Sequence, residues 1–486
     1  MSIEDSVAVA EIERLLAAGR TDDALRAADQ LCARSRGNAV AWLVRARANR
    51  QLGRIEAAAE DLHTADRVAP GNEHAAFLLA LTETELGRMD SAIARFRPVA
   101  YGGGRLALEA WMGLCDALFI ANRMDELNEE VGKSGPWNSD ERFALHAARA
   151  MSKRDPEGAI AGYRRVSDTA VSVAARRVAG FEAVRLFDKL GKYREALELA
   201  GRIHAFTGMP FDLDRFLAPV RAQQQLLAGG RWFTPQTEPV DGLAMMIALP
   251  RSGTTLIEQM LDAHPEVSGI GEYDGIRFLG ESVSTMGRAG RALGLLTKQE
   301  TYQLQRNYLE GAEKRRRNGA RWMLDKTLRA WRMLPALAAV MPGTRCIHLV
   351  RDPRDMAVSI HLSYFTPHRD GWTASLESIR RVIEAQESIL PEALGTLGLP
   401  HETIVYENLV ADPASHANRC LQLLGLDMQE SVLAPERNTR TVFTLSHAQV
   451  NSPINASSIG RWRNYEWAFG REWDGLVARH EARRKT

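Results

Sequence analysis

The 486-residue sequence predicts an all-α domain of helical repeats followed by an α/β domain with a parallel sheet. A 34-residue period in the first half predicts the repeats. Short apolar runs that alternate with helical stretches in the second half predict the parallel sheet. A stretch rich in Gly and Pro separates the two patterns. We therefore predict a helical domain over residues 1–225, a linker over 226–242 and an α/β domain over 243–486.

The repeats are marked by three glycines that are 34 residues apart and are each followed by Arg: Gly19, Gly53 and Gly87. An alanine stands five positions after each glycine: Ala24, Ala58 and Ala92. The pattern resembles tetratricopeptide repeats, in which glycine permits a turn between two helices and alanine lets them approach closely. Beyond residue 100 the register loosens. The array is expected to present a peptide or another subunit, or to support the following domain; both readings stay open.

Composition excludes several classes of function. The net charge of +1 favours neither nucleic acid nor a membrane surface as a partner. The first residues lack the basic and apolar regions of a signal peptide, and no apolar run is long enough to span a bilayer. The four cysteines have no spacing typical of a metal or redox site. We predict a cytoplasmic protein without a bound metal; oligomerisation stays open.

Four apolar runs predict the strands of the second domain: Leu243–Leu249, Trp322–Leu324, Arg345–Val350 and Thr403–Tyr406. Five helical stretches alternate with them: Thr254–Ala263, Leu328–Val340, Asp355–Tyr364, Leu376–Ala393 and Ser415–Leu424. Ligands of parallel sheets collect at the carboxyl ends of the strands.

The first strand is followed by PRSGTT, residues Pro250–Thr255, and then by a helix. A strand, loop and helix in this order place backbone amides around an anion, and Arg251 adds a guanidinium. An ordinary helix cap would account for one hydroxyl only. Aligned on the nucleotide-hydrolysing P-loop, the chain has Ala248 at the first glycine and Thr254 at the lysine. The loop therefore favours an anion less charged than a nucleoside triphosphate, transferred without metal.

A second site element is IHLVRDPRDMAVSIHLSY, residues 347–364. Arg351 ends the predicted strand, and Ser359 lies about one turn inside the following helix. Both side chains can reach one phosphate group at this position.

The sequence PRSGTTLIEQMLDAHPEV resembles the 5′-phosphosulfate loop of sulfotransferases, especially tyrosylprotein sulfotransferases and bacterial relatives with helical repeats. The resemblance covers roughly residues 243–470. It implies a P-loop-like α/β fold and transfer of a sulfuryl group from 3′-phosphoadenosine 5′-phosphosulfate (PAPS) to a hydroxyl, with PAP as product. It also implies ten residues that bind the cofactor: Arg251, Ser252, Gly253, Thr254, Thr255, Arg351, Ser359, Tyr406, Asn455 and Arg461.

The resemblance further implies four catalytic residues: Glu272, Lys326, Arg251 and Ser446. Glu272 aligns with the family's catalytic glutamate and is expected to take the acceptor proton, while the other three stabilise the leaving phosphate. His264 is the rival base. Asp274 stands where the tyrosylprotein enzymes have Arg, which puts recognition of an acidic peptide in doubt.

Two other functions stay open: a kinase-like transferase that uses ATP, and a non-catalytic scaffold whose second domain senses PAPS or PAP. The acceptor is expected to be peptide tyrosine, a saccharide or a small metabolite, and the repeats would present a peptide or protein. The aromatic stretch His361–Trp372 is predicted to form part of the acceptor wall.

Overall fold

The computed structural model describes residues 2–52, 54–206, 211–273, 275–285, 293–437 and 453–485. The chain forms two compact units, Met1–Leu186 and Phe187–Thr486. Among the described residues, no helix combines the length and apolar character needed to cross a bilayer.

The first unit consists of helices joined by short turns. Their bounds are α1 (Ile3–Ala17), α2 (Thr21–Arg34), α3 (Ala39–Gln51), α4 (Ile55–Val68), α5 (Glu73–Glu85), α6 (Met89–Tyr101), α7 (Ala107–Ile120), α8 (Met124–Gly132), α9 (Phe143–Met151), α10 (Pro156–Thr169) and α11 (Val173–Lys189), whose last turn passes into the second unit.

The predicted helical repeats are confirmed. Gly19 and Gly87 have φ of +72° and +73° at the turns after α1 and α5, a conformation that favours glycine. Gly53 lies outside the described residues. The three alanines of the repeat are completely buried: Ala24, Ala58 and Ala92. Apolar burial between successive helices therefore follows the 34-residue period read from the sequence.

The second unit contains a parallel five-stranded sheet with the order β2-β3-β1-β4-β5. The strands are β1 (Leu243–Ile247), β2 (Val267–Gly271), β3 (Trp322–Asp325), β4 (Arg345–Val350) and β5 (His401–Val405). Helices of this unit follow the sequence α12 (Tyr193–Phe206), α13 (Leu213–Leu227), α14 (Thr254–Asp262), α15 (Gly275–Thr285), α16 (Lys298–Glu313), α17 (Leu334–Val340), α18 (Pro353–His361), α19 (Pro367–Asp370), α20 (Leu376–Glu387), α21 (Glu392–Thr396), α22 (Tyr406–Ala411), α23 (Pro413–Leu424) and α24 (Asp474–Arg484).

The sheet has an apolar core on each face, because side chains alternate along a strand. Met245 and Ile247 of β1 belong to one core, which also contains Trp331. Ala244 and Met246 belong to the opposite core. Burial on both faces explains why β1 is an uninterrupted apolar run, and it fixes the loop that follows β1 at the carboxyl edge of the sheet.

The predicted fold class is confirmed, with four strands at the predicted positions. The strand β2 was not predicted, since its sequence VSGIG contains two glycines and resembles a turn. Helices α12 and α13, predicted to belong to the helical domain, lie in the second compact unit. The two compact units group residues that are close in space, and they do not follow the sequence repeats. The domain boundary near residue 225 therefore stays a prediction.

Candidate active site

The loop between β1 and α14 carries two left-handed residues. Arg251 has φ of +68° and Gly253 has φ of +99°, and α14 begins at Thr254. The first amides of a helix lack intrahelical partners, so this turn directs donors towards the carboxyl edge of the sheet. A Cβ atom on Gly253 would lie 2.3 Å from the Tyr406 ring. Glycine is therefore required here both for its φ and for contact with the aromatic ring at the end of β5.

Two arginines from adjacent strand ends lie together in this site. Arg351 donates from Nη1 to the carbonyl oxygen of Arg251 at 2.8 Å, and its guanidinium lies 4.7 Å from the centre of the Tyr406 ring. Arg251 donates from Nε to Ser359 Oγ at 2.7 Å. Burial, followed by repulsion from Arg351 and Arg461, lowers the pKa of Arg251 to about 10. Arg251 therefore remains charged at neutral pH in a desolvated, positive environment.

The segment 453–462 is attached to α18 through Asp355. The Asp355 carboxylate accepts from the backbone amides of Gly460 at 2.7 Å and Trp462 at 2.8 Å. Ser458 contributes its carbonyl oxygen to Nη2 of Arg351. Burial raises the pKa of Asp355, opposed by the charge of Arg351 and by the two amides. The segment is thus joined to the same strand end that carries Arg351.

A buried ion pair joins the end of β3 to α14. Lys326 Nζ lies 2.8 Å from Glu258 Oε2, and the side chains are 2% and 0% exposed. Lys326 also donates its backbone amide to the Gly271 carbonyl oxygen at 3.0 Å. This bond places the residue after Gly271, Glu272, beside the strand end that carries Lys326.

A second buried carboxylate, Asp325, precedes this lysine. It accepts from the Tyr308 hydroxyl and from the Thr327 amide, the latter at 2.7 Å. Thr327 Oγ1 in turn donates to the Tyr273 carbonyl oxygen at 2.7 Å. Burial raises the pKa of Asp325 to about 6, although these hydrogen bonds act in the opposite direction. The network connects the end of β3 to the loop that contains Glu272.

These elements surround a cavity of about 500 Å³. Nine of the predicted site residues line it: Arg251, Gly253, Thr254, Thr255, Glu272, Lys326, Arg351, Tyr406 and Asn455. The predicted acceptor stretch contributes Tyr364, Phe365, Thr366, Arg369, Asp370 and Trp372. The cavity is therefore lined by most of the predicted anion-binding residues, the predicted base and part of the predicted acceptor wall.

Other predicted residues lie behind or outside this lining. Ser252 is buried and donates from Oγ to the Leu249 carbonyl oxygen at 2.8 Å, and Ser359 lies behind Arg251. Arg461 forms an ion pair with Asp188 at 2.6 Å. Ser446 lies outside the described residues. The roles predicted for these four residues stay predictions.

The rival base His264 does not line the cavity. The Glu266 amide donates to His264 Nδ1 at 3.1 Å, and Nε2 lies 3.2 Å from the Asp427 carbonyl oxygen. Both ring nitrogens are thus engaged in bonds to the backbone, in the neutral tautomer protonated on Nε2. This arrangement favours a structural role for His264, whereas Glu272 is exposed in the cavity wall.

Sequence reasoning missed several cavity residues. Arg329 and Arg332 follow β3 and line the cavity. Their position shortly after Lys326 in the sequence could have indicated that they lie near the same strand end. Phe216 comes from α13, which was assigned to the helical domain, so no local pattern connected it to this site. Glu258 lies in a helix that was predicted correctly, but its partner is 68 positions away in the sequence.

Residues 244–430 match the model of the sulfotransferase family. This stretch, less than half of the chain, resembles that family. A protein of Aquifex aeolicus described as uncharacterized is 23% identical over 325 residues, which cover 62% of this chain and 41% of that protein. Protein-tyrosine sulfotransferase 1 of Danio rerio is 26% identical over 241 residues, which cover 44% of this chain and 63% of the relative. The chain thus spans less than two thirds of either relative.

Among solved structures, the sulfotransferase domain of a Synechococcus olefin synthase is 20% identical to the aligned part of this chain, with a TM-score of 0.34. The alignment covers 48% of this chain and 91% of that domain.

The buried Lys326–Glu258 pair predicts strong energetic coupling between the end of β3 and α14. We expect Glu258→Met and Lys326→Met each to lower the free energy of unfolding by about 3–5 kcal/mol, because each leaves one buried charge unpaired. The double variant is expected to lose much less than the sum, since both charges are removed. Urea unfolding of the four proteins measures the coupling.

The exposed pair Arg306–Glu310, at 3.4 Å, provides the matched control. Its single variants are expected to change the free energy of unfolding by less than about 1 kcal/mol. Additive losses for Lys326 and Glu258 would contradict a coupled pair.

The raised pKa of Asp325 predicts a pH-dependent term in stability. The folded-state pKa of about 6 exceeds the unfolded value of 3.8, so the folded state binds more protons between these values. Stability from this group is therefore lost as the pH rises from about 4 to 6. We expect the melting temperature of wild type relative to Asp325→Asn to fall across this range. Asp241→Asn, which alters a carboxylate that is 72% exposed, should show no such trend.

Proposed function

We propose that this chain transfers a sulfuryl group from PAPS to an acceptor hydroxyl. The observation that supports this most directly is the convergence of Arg251 and Arg351 at neighbouring strand ends in one cavity. Nε of Arg351 is buried and has no hydrogen-bond partner among the described residues. An anionic ligand would satisfy that donor and would reduce the repulsion between the two guanidinium groups.

The two arginines suggest how the two anionic ends of PAPS would be bound. The 5′-phosphosulfate would contact Arg251 and the start of α14, where Thr254 and Thr255 line the cavity. The 3′-phosphate would contact Arg351, and the adenine would contact Tyr406. ATP has no 3′-phosphate, so this assignment of Arg351 favours PAPS over the kinase-like alternative.

The chemistry needs a base and charge stabilisation. The acceptor oxygen would form a bond to sulfur while the bond from sulfur to the 5′-phosphate oxygen breaks, and PAP would leave. Glu272 would receive the acceptor proton. Lys326 and Arg251 would stabilise negative charge on the leaving phosphate. Each of these three side chains lines the cavity, and these steps require no metal.

Several finer parts of the function stay predictions. These are the choice among peptide tyrosine, a saccharide and a small metabolite as acceptor, presentation of a peptide by the repeats, and a cytoplasmic location.

Calorimetric titration distinguishes PAPS from ATP as the ligand. We expect the wild type to bind PAP more tightly than Mg-ATP. Arg351→Ala should weaken PAP binding by about 10- to 100-fold, because a charge-assisted bond to phosphate contributes about 1.5–3 kcal/mol. Arg306→Ala, which removes an exposed arginine, should bind PAP like the wild type. Equal or tighter binding of Mg-ATP would instead support the kinase-like alternative.

Transfer of ³⁵S from labelled PAPS to components of a cell extract tests catalysis. We expect labelled product with the wild type and a decrease of about 10²- to 10⁴-fold with Glu272→Gln, which removes the proposed base. His264→Gln is the comparison for the rival base, and Glu310→Gln is a surface control. Tight PAP binding without transfer to any component would favour the scaffold alternative, and mass spectrometry of the labelled product would identify the acceptor.

A further inference from the structure

One half of the cavity carries a group of arginines that the proposed chemistry does not use. We name it the basic wall and define it by Arg329, Arg332 and Arg369. Arg329 lies 3.1 Å from Asp370, and Arg369 lies 2.9 Å from the same carboxylate. Among the ion pairs of the described residues, Asp370 thus faces two of the three guanidinium groups, and the third, Arg332, has no carboxylate opposite it.

Arg332 differs from the other two because no carboxylate of the described residues lies within ion-pair distance of it. It donates from Nη2 to the Phe216 carbonyl oxygen at 2.7 Å, and its guanidinium lies 3.8 Å from the centre of the Phe216 ring. Its Nε is buried and has no hydrogen-bond partner in the described part of the chain. Burial, followed by the charge of Arg329, lowers the pKa of Arg332 to about 10. The fold thus keeps a desolvated cation without an opposite charge.

The backbone around Arg332 is fixed by a buried side chain. Gln223 of α13 donates to the Trp331 carbonyl oxygen at 2.9 Å and accepts from the Leu334 amide at 3.1 Å. The two bonds fix the backbone one residue before Arg332 and two residues after it. The position of this cation is therefore built into the fold.

The surroundings of Arg332 are aromatic. Phe216 and Trp372 both line the cavity, with ring centres 6.3 Å apart and ring planes at 25°. Phe365 and Tyr364 line it as well. A ligand in this half would meet apolar ring surfaces together with an unneutralised guanidinium.

We propose that Arg332 binds an anionic group of the acceptor, so that the cavity selects acceptors with a carboxylate, sulfate or phosphate attached to an apolar or aromatic body. A partly desolvated cation without an opposite charge lowers stability, and a bound anion offsets that cost. The planar guanidinium also matches the geometry of these anions. The inference rests on the proposed function, because it assigns this half of the cavity to the acceptor.

A matched pair of probes tests the charge requirement. Phenylacetate and phenylacetamide have nearly the same shape, but only the first is charged at neutral pH. Each is titrated by ligand-observed NMR into full-length protein saturated with PAP, so that the anion does not enter the donor half. We expect phenylacetate to bind wild type about tenfold more tightly than the amide, as a charge-assisted bond would give. Arg332→Gln should reduce this ratio to below about twofold.

Two further variants support the comparison. Arg332→Lys keeps the charge and should keep part of the preference for the carboxylate. Arg306→Gln removes an exposed arginine of α16 and should keep the full preference for the carboxylate. PAP affinity is measured on each protein and should not change with Arg332→Gln.

The inference is overturned if the wild type shows no saturable phenylacetate binding or no preference over the amide, whether or not Arg332→Gln folds. It is also overturned if Arg332→Gln keeps the wild-type preference, since the anion would then bind elsewhere. Loss of PAP binding by the wild type would contradict the proposed function instead, and the comparison of the two probes between wild type and Arg332→Gln would still decide the role of Arg332.

Discussion

The active-site architecture depends on keeping two guanidinium groups close together in a desolvated place. Arg251 and Arg351 repel one another, and burial together with this repulsion lowers the pKa of Arg251. The fold offsets the cost with oxygen acceptors: the Arg251 carbonyl, the Ser359 hydroxyl and the Ser458 carbonyl. These acceptors orient the arginines, and none of the three carries a formal charge. The positive potential of the two guanidinium groups favours an anionic ligand in this cavity.

The cations of the cavity fall into two groups according to their partners. Lys326 is opposed by Glu258, and Arg329 and Arg369 are opposed by Asp370. Arg332 has no such partner among the described residues, and Arg351 lies 3.9 Å from Asp355, a carboxylate that also accepts two backbone amides. A lysine with a buried counter-ion keeps a defined orientation before any ligand binds. A guanidinium with little local compensation gains more from a ligand anion.

The sequence predicted the architecture and the loop between β1 and α14 because both depend on local patterns. The 34-residue period, the apolar strands and the loop Pro250–Thr255 each lie within a short stretch of chain. The pairing of Lys326 with Glu258 was not predictable, since it depends on which side of α14 faces β3. Phe216 and Gln223 were missed for the same kind of reason: α13 resembles a repeat helix in sequence but contacts the turn after β3. The edge strand β2 was missed because its two glycines are untypical of a strand.

The attachment of residues 460 and 462 to Asp355 uses main-chain amides rather than side chains. Every residue type except proline supplies that donor, but Gly460 has φ of +74°, a conformation that favours glycine. A change of residue at position 462 would therefore keep its bond to Asp355, whereas a change at position 460 would strain the turn that presents the first amide.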